Sequence, residues 1–276
     1  MKVGILLLNM CFPVLAGLVM LLGKREYTEK ELAGRSLTAM VIAACFLVWN
    51  LTGDPLSLHL CSLGKDLPVY FHVDAIGKLF ASVVTLVWIL AICFAGEYMK
   101  KEQDQKRFFG FFLIVYGVLM GLCYAGNLIT FYLFYEMMTL TTVPLVLHTR
   151  TREAITAGMK YLLYSLSGAY LVLFSTYMLN RYTTSLDFTP GGTLDLAAAE
   201  GHTTLILVCA CLMILGFGVK AGMFPMHGWL STAHPVAPAP ASAVLSGVIV
   251  KMGVLGAIRV VYEIIGPEVI RGTWVQ

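Results

Sequence analysis

The run ASAVLSGVIVKMGVLGAIRVV, Ala241 to Val261, is interrupted by charge only at Lys251 and Arg259. A helix needs ~20 mostly apolar residues to cross a bilayer, and this stretch is that long. Outward from it, seven further segments share its character: approximately 3–23, 36–52, 74–99, 108–125, 127–148, 158–180 and 203–223, the quoted run itself extending over 240–262. Hydrophobic residues make up 58% of the 276-residue chain and charged residues 13%, about half the charged share of a soluble domain. The expected fold class is all-α, a polytopic membrane helix bundle of about eight transmembrane helices. A cleaved signal peptide is the alternative for the first segment. Its apolar run is long, it lacks a small-x-small cleavage site and it ends at Lys24 and Arg25, so a retained helix is expected.

Loop charges orient the bundle. Lys24, Arg25, Lys30 and Arg35 follow the first span, Lys100, Lys101, Lys106 and Arg107 the third, and Arg150 and Arg152 the fifth. The connections after spans two and six carry only Lys65 and Arg181, and the one after span four carries none. The positive-inside bias puts the N-terminus outside a cell membrane and the loops after helices 1, 3 and 5 in the cytoplasm. Leu56-Ser57-Leu58-His59-Leu60 alternates, Gly64-Lys65-Asp66 supplies turn residues, and Val69 to Val73 extends again. This pattern predicts a small outer β-hairpin within 55–73. Segment 181–202, with Pro190-Gly191-Gly192, is expected to be an irregular outer loop. Gly117, Gly121 and Ala125 recur at four-residue spacing, which suits ordinary close packing inside the bundle.

The informative residues are charges inside spans. Placing one near the bilayer centre costs ~2.5–3.5 kcal/mol on insertion scales, so it must face protein or water and find a partner. Glu136 lies mid-span in Phe131-Tyr132-Leu133-Phe134-Tyr135-Glu136, with no basic residue within a helical turn. It is either an ion-path group or a hydrogen-bonded structural acid. Lys220 lies in Gly216-Phe217-Gly218-Val219-Lys220-Ala221-Gly222, just before Phe224-Pro225. Proline should interrupt the helix near Met223, and a broken helix beside a buried lysine is a construction found at transporter ion sites. Snorkelling toward the cytoplasmic face is the competing reading for Lys220. Lys251 sits about ten residues into its run, too deep to snorkel easily. A lysine and a glutamate that pair in an apolar surround stabilise each other's charge, and separating them can release or capture a proton.

Hydroxyls of Thr139, Thr141, Thr142, Ser165, Ser167 and Ser246 lie in the same spans or the one between and can hold bridging water, although each by itself is more often a helix–helix hydrogen-bonding group. His227 and His234 flank the proline-interrupted segment Pro225 to Pro240. They suit a proton entrance or, equally, hydrogen bonding in a re-entrant loop. Asp74 is expected to cap the third helix, Lys78 to be interfacial, Glu97 and Lys160 to snorkel, and Arg259 to reach the interface as an anchor. The seven cysteines contain no CxxC pair and are expected to be small buried hydrophobes rather than disulfides or metal ligands. No iron–sulfur or haem attachment pattern is present. No metal and no cofactor are therefore expected in this chain.

These segments resemble the antiporter-like subunits of respiratory complex I. Phe131 to Glu136 is similar to their fifth-helix glutamate segment. Gly218-Val219-Lys220-Ala221-Gly222-Met223-Phe224-Pro225-Met226-His227-Gly228-Trp229-Leu230 is similar to their broken seventh helix. His234-Pro235-Val236-Ala237-Pro238-Ala239-Pro240-Ala241-Ser242-Ala243, running on to Ser246 and Lys251, is similar to their eighth. His72-Val73-Asp74-Ala75 fits the start of helix three. Related subunits occur in multisubunit cation/proton antiporters and membrane-bound hydrogenases. The resemblance implies three N-terminal helices with the hairpin, 1–107, then a five-helix unit, 108–276, forming half of an inverted repeat whose second half is absent. It also implies that Glu136 pairs with Lys220 and that Lys251 passes the proton on. Two departures stand out: the chain stops at Gln276, as a fragment or a half completed by another polypeptide would, and Ser231 replaces the usual proline after Trp229-Leu230.

The expected function is a proton-translocating membrane subunit of a complex I-type NADH:quinone oxidoreductase or related hydrogenase. Catalysis would reside in partner subunits and none in this chain. The alternatives are a subunit of a multisubunit Na+(K+)/H+ antiporter without a redox partner, and a membrane scaffold with structural ion pairs. Expected partners are other membrane subunits, protons or Na+, and the lipid bilayer, with no nucleic acid. No paired aspartates, HExxH or serine–histidine arrangement marks a membrane enzyme.

Overall fold

A computed structural model describes residues 2–25, 27–53, 56–64 and 67–276. Residue 55 and the expected turn residues Lys65 and Asp66 lie outside them. Among the described residues, eight helices have the length and apolar character to cross a membrane. These are α1 (Lys2–Leu22), α2 (Glu29–Thr52), α3 (Ala75–Tyr98), α4 (Gln105–Cys123), α5 (Leu128–Val146), α6 (Arg152–Leu179), α7 (Thr203–Ala221) and, after the short α8 (Leu230–Val236), α9 (Ala239–Ile265). Strands β1 (Ser57–Ser62) and β2 (Pro68–His72) pair antiparallel as the expected hairpin, Ser57 opposite His72 and His59 opposite Tyr70.

Caps decide where several helices begin. α2 starts at Glu29, ahead of its apolar core, because Thr28 and Glu31 form a reciprocal capping box. α6 starts at Arg152 because Thr151 accepts from the Ala154 amide. Asp74 caps α3 through the Gly77 amide at 2.8 Å, as expected. Lys78 donates to the Leu51 and Gly53 carbonyls at the end of α2, giving those end groups a cationic partner.

Helix α4 is the buried centre, walled by α1, α3 and α5. Its glycines set that packing: a Cβ at Gly117 would lie 2.4 Å from the Met10 carbonyl oxygen, and one at Gly121 would overlap the Phe134 ring. Apolar side chains such as Leu79, Leu86, Leu90, Leu163 and Tyr170 point outward, the surface lipid requires. Cys11, Cys45 and Cys93 share that outer surface and Cys61 is exposed on β1, while Cys123 and Cys209 are buried. The cysteines are thus only partly the interior hydrophobes expected. An apolar run supplies residues to both the lipid face and the protein face, and hydropathy does not separate them.

Two ends of the bundle carry its polar contacts. At the hairpin end, β2, the α4–α5 turn and segment 181–195 exchange backbone bonds, including His72 N to Tyr124 O and Phe188 N to Gly126 O. At the opposite end, Lys106 donates to the Gly23 carbonyl, and Arg107 and Arg150 pair with Asp104. The expected interruption of the seventh span also lies there. Gly222 adopts φ +72 and stops α7, the Met223 amide returns to the Gly218 carbonyl, and helix resumes at Leu230. Glycine tolerates this left-handed turn without a Cβ clash.

Candidate ion path

Lys220 lies one turn before that interruption and is fully buried. Its Nζ donates three hydrogen bonds, all to hydroxyls: Thr139 Oγ1 on α5 at 2.8 Å, and Tyr161 OH and Ser165 Oγ on α6 at 2.9 Å each. The shell is itself anchored. Tyr161 OH is 2.6 Å from Thr142 Oγ1, and Thr139 and Thr142 donate back to the Tyr135 and Met138 carbonyls. Trp229 closes one side, its ring 4.9 Å from that of Tyr161 and its Nε1 donating to the Val219 carbonyl at 2.8 Å. That carbonyl belongs to the last turn of α7, where intrahelical donors run out. An ammonium has three donors and no acceptor, whereas a hydroxyl can donate or accept. The shell can therefore hydrogen-bond the lysine in either protonation state.

Glu136 is partly buried on α5, one turn before Thr139. Its Oε1 is buried and accepts no hydrogen bond. It lies near enough to interact electrostatically with Lys220, yet all three lysine donors go to hydroxyls. The implied ion pair is accordingly not a direct contact here.

Lys251 corrects the expectation of a buried lysine. Its side chain is exposed midway along α9, with Nζ donating to the Ser246 carbonyl at 2.7 Å. The cause is helix facing. Met252, Gly253, Leu255 and Gly256 turn inward, and a Cβ at Gly253 would lie 2.4 Å from the Phe217 carbonyl oxygen of α7. Ser246, Lys251, Val254 and Tyr262 are left on the open side. Ser246 lies within a π-helical turn, Leu245–Ile249, that ends two residues before Lys251, and such turns re-aim side chains and recur at functional sites.

The supporting residues divide. His234 Nδ1 is 2.7 Å from Ser242 Oγ, and Ser246 Oγ donates to the Ser242 carbonyl at 3.2 Å. His234, Ser242 and Ser246 line an open cleft of about 480 Å³ with Tyr98 and Ala237, and Lys251 meets its Ser246 end through that residue's carbonyl. Burial holds the His234 imidazole below the usual histidine range. His227 and Pro225 lie instead in the exposed turn between α7 and α8, where the His227 ring stacks on Phe224 at 5.7 Å. Neither touches the Lys220 shell.

One charged cluster escaped the sequence reading. Arg259, expected as an interfacial anchor, is 1% exposed. It pairs with Asp74 through both Nη atoms and with Glu263 at 2.6 Å, and its guanidinium lies 4.7 Å from the Phe188 ring centroid. Arg259 and Glu263 stand four apart on one helix, a spacing that aligns opposite charges. That spacing was the available signal. Asp74, 185 positions earlier, had none. Among the described residues no group of three or more His, Cys, Asp or Glu is placed to hold a metal.

Comparison with known proteins adds a family context. A family model described as NADH:quinone oxidoreductase/Mrp antiporter, TM, matches residues 125–274. One described as NADH-Ubiquinone oxidoreductase (complex I), chain 5 N-terminus, matches 61–109. Hydrogenase-4 component B of Escherichia coli is 31% identical over 196 residues, covering 70% of this chain and 28% of that protein. NADH-quinone oxidoreductase subunit N of Desulforudis audaxviator is 25% identical over 250 residues, covering 87% of this chain and 49% of that protein. A chain of the archaeal membrane-bound sulfane sulfur reductase superposes with a TM-score of 0.77 at 19% identity, over 93% of this chain and 52% of that one. The chain thus spans about half or less of the length of these relatives.

Proposed function

This chain belongs to the NADH:quinone oxidoreductase/Mrp antiporter transmembrane family, and on that premise we propose that it is a proton-translocating membrane subunit of a multisubunit complex. Electron transfer in partner subunits would drive it, as in a complex I-type oxidoreductase or a membrane-bound hydrogenase. The observation that carries this reading is the Lys220 shell: a fully buried ammonium inside a span, solvated by three hydroxyls and by no carboxylate. A lysine kept only for stability would be better replaced by an apolar residue, because burying a charge is costly.

In this reading Lys220 holds the proton, and Glu136, without a hydrogen bond at its buried oxygen, is the mobile countercharge. Approach of the two charges stabilises both, and separation returns each to an apolar surround where a proton can leave or arrive. Lys251 is the next carrier. The His234–Ser242–Ser246 cleft is the route by which protons reach it from the cytoplasmic side, with the N-terminus outside the cell membrane and the loops after α1, α3 and α5 inside. His227 and Pro225 shape the turn beside it. Residues 108–276 form the five-helix transporting unit, and 1–107 the supporting helices and outer hairpin.

The test uses the assembled complex in sealed vesicles. Lys220→Met should lower redox-driven proton uptake by about 100-fold or more, the scale set by losing a positioned proton-transfer group, with assembly retained. Unchanged pumping with normal assembly would leave only a structural role. A second reading, cation/proton antiport without a redox partner, is favoured by the antiporter half of the family description. It predicts a Na+- or K+-dependent pH change in vesicles given no electron donor.

A further inference from the structure

The charges around Arg259 do not balance. One guanidinium, 1% exposed, serves two carboxylates, Asp74 and Glu263, the latter 4% exposed. Donor accounting separates the two acids. Asp74 Oδ1 accepts from Arg259 Nη2 at 2.9 Å and from the Gly77 amide at 2.8 Å, and Oδ2 accepts from Nη1. It also sits at the N-terminus of α3, where the helix dipole favours negative charge. Glu263 receives a single bond, 2.6 Å, from the Nη1 already shared with Asp74. Arg259 Nε is buried with no acceptor. Asp74 is the solvated anion and Glu263 carries the surplus.

No other described charge offsets it. Lys78, one turn into α3, spends its ammonium on the Leu51 and Gly53 carbonyls. The His72 ring of β2 is engaged with Ser57, and Asp187 of the 181–202 segment accepts from Tyr70 OH. On the α4 side stands the buried Cys123. On the α7 side His202 precedes the helix, its ring 5.1 Å from that of Tyr182. The same segment seals the cluster: Phe188 covers the guanidinium, and the Thr189, Gly191 and Thr193 amides donate to the Glu263, Tyr262 and Ile264 carbonyls. Those carbonyls lie in a terminal π-helical turn, Val260–Ile265.

We propose that Glu263 is a second proton-holding site, at the hairpin end of the bundle, binding one proton while Asp74 and Arg259 remain a charged pair. One buried and one partly buried carboxylate facing one cation reach neutrality with a single added proton, and desolvation places that proton on the deeper acid, Glu263. Protonated Glu263 keeps its bond from Nη1 through its carbonyl oxygen. The site stands whether or not Lys220 carries ions, because its argument uses only the local charge count.

Infrared spectroscopy of the purified full chain in lipid discs tests it through the C=O stretch of protonated carboxylic acids. At neutral pH the wild type should show such a band with a contribution lost in Glu263→Gln, which preserves an acceptor for Arg259. Asp74→Asn should remove the same contribution, since one carboxylate then balances one guanidinium and Glu263 ionises. Glu136→Gln and Lys220→Met should leave it in place. Glu263→Asp should shift it, and serves if Glu263→Gln fails to assemble. A wild-type band unaltered by either Glu263 variant, or one fully removed by Glu136→Gln, would overturn the proposal. So would a carboxylate signal that responds to Na+ and not to pH.

Discussion

Lys220 and Arg259 are both buried cations on the packed pair α7 and α9, and both lie over aromatic rings, yet the groups that hydrogen-bond them differ in kind. Lys220 is held by three neutral hydroxyls, Arg259 by two carboxylates and an aromatic face. A guanidinium stays charged at any physiological pH, so its burial demands fixed anions. An ammonium can lose its proton, and hydroxyls that donate as well as accept remain satisfied afterwards. The first arrangement suits a group that changes state. The second suits a permanent charge that ties α9 to α3, with any change of protonation passed to the neighbouring acid.

The comparison breaks most visibly at Arg259. Arg259→Met leaves the buried Glu263 and the partly buried Asp74 without a cation and should cost about 3–5 kcal/mol, read as a large loss of thermal stability in detergent. Adding Asp74→Asn and Glu263→Gln should restore most of it; failure of that rescue would mean the guanidinium is held for something other than charge balance. Lys220→Met should be milder, about 1–3 kcal/mol, because Thr139 and Tyr161 retain other partners and only the Ser165 hydroxyl loses its partner. A stability loss as large as that of Arg259→Met would erase the distinction between the two sites. Trp229→Phe keeps a ring beside Tyr161 but removes the bond to the Val219 carbonyl, and should cost about 1 kcal/mol. Solvent exchange at the end of α7 should quicken in hydrogen-exchange measurements.

The smallest effect belongs to His148, a buried neutral ring at the opposite end from the hairpin. Its Nε2 meets the Gln103 carbonyl at 2.9 Å, and Arg107 donates to its carbonyl oxygen. Burial first, and the Arg107 charge second, hold its imidazole below the ordinary value of 6.5. The unfolded chain therefore takes up this proton first as pH falls. The stability contributed by the neutral ring is complete above about pH 6.5 and is lost as pH drops toward the depressed folded value. Thermal melts between pH 7.5 and 5 should show this slope, and His148→Gln should flatten it.

Much of the fold was legible because ~20 consecutive apolar residues have few alternatives to a membrane span, and the β-hairpin because its alternation and turn residues are local. The spans match closely, and where α2 and α6 begin early the cause is a cap, Thr28 or Thr151, that hydropathy does not weigh. Lys220 was legible as a buried charge beside a helix break. Its hydroxyl shell was legible only as a set of candidates: Thr139 and Ser165 contact it, whereas Ser167 bonds to its own helix. Lys251 was misjudged because its run is apolar on every side, so nothing local marks which face is covered.

By itself the amino-acid order determined the number of spans, the place where the seventh breaks and the presence of charges that lipid would reject, since each depends on neighbours within a few turns. Tertiary structure alone decided that Glu136 and Lys220 do not touch, that Lys251 faces outward, and that Asp74 meets Arg259 across 185 positions. Those outcomes depend on how helices rotate about their axes and which glycines let them approach, as Gly117 lets α4 approach α1 and Gly253 lets α9 approach α7. Rotation is set by packing between segments distant in sequence, and hydropathy along one segment is nearly indifferent to it.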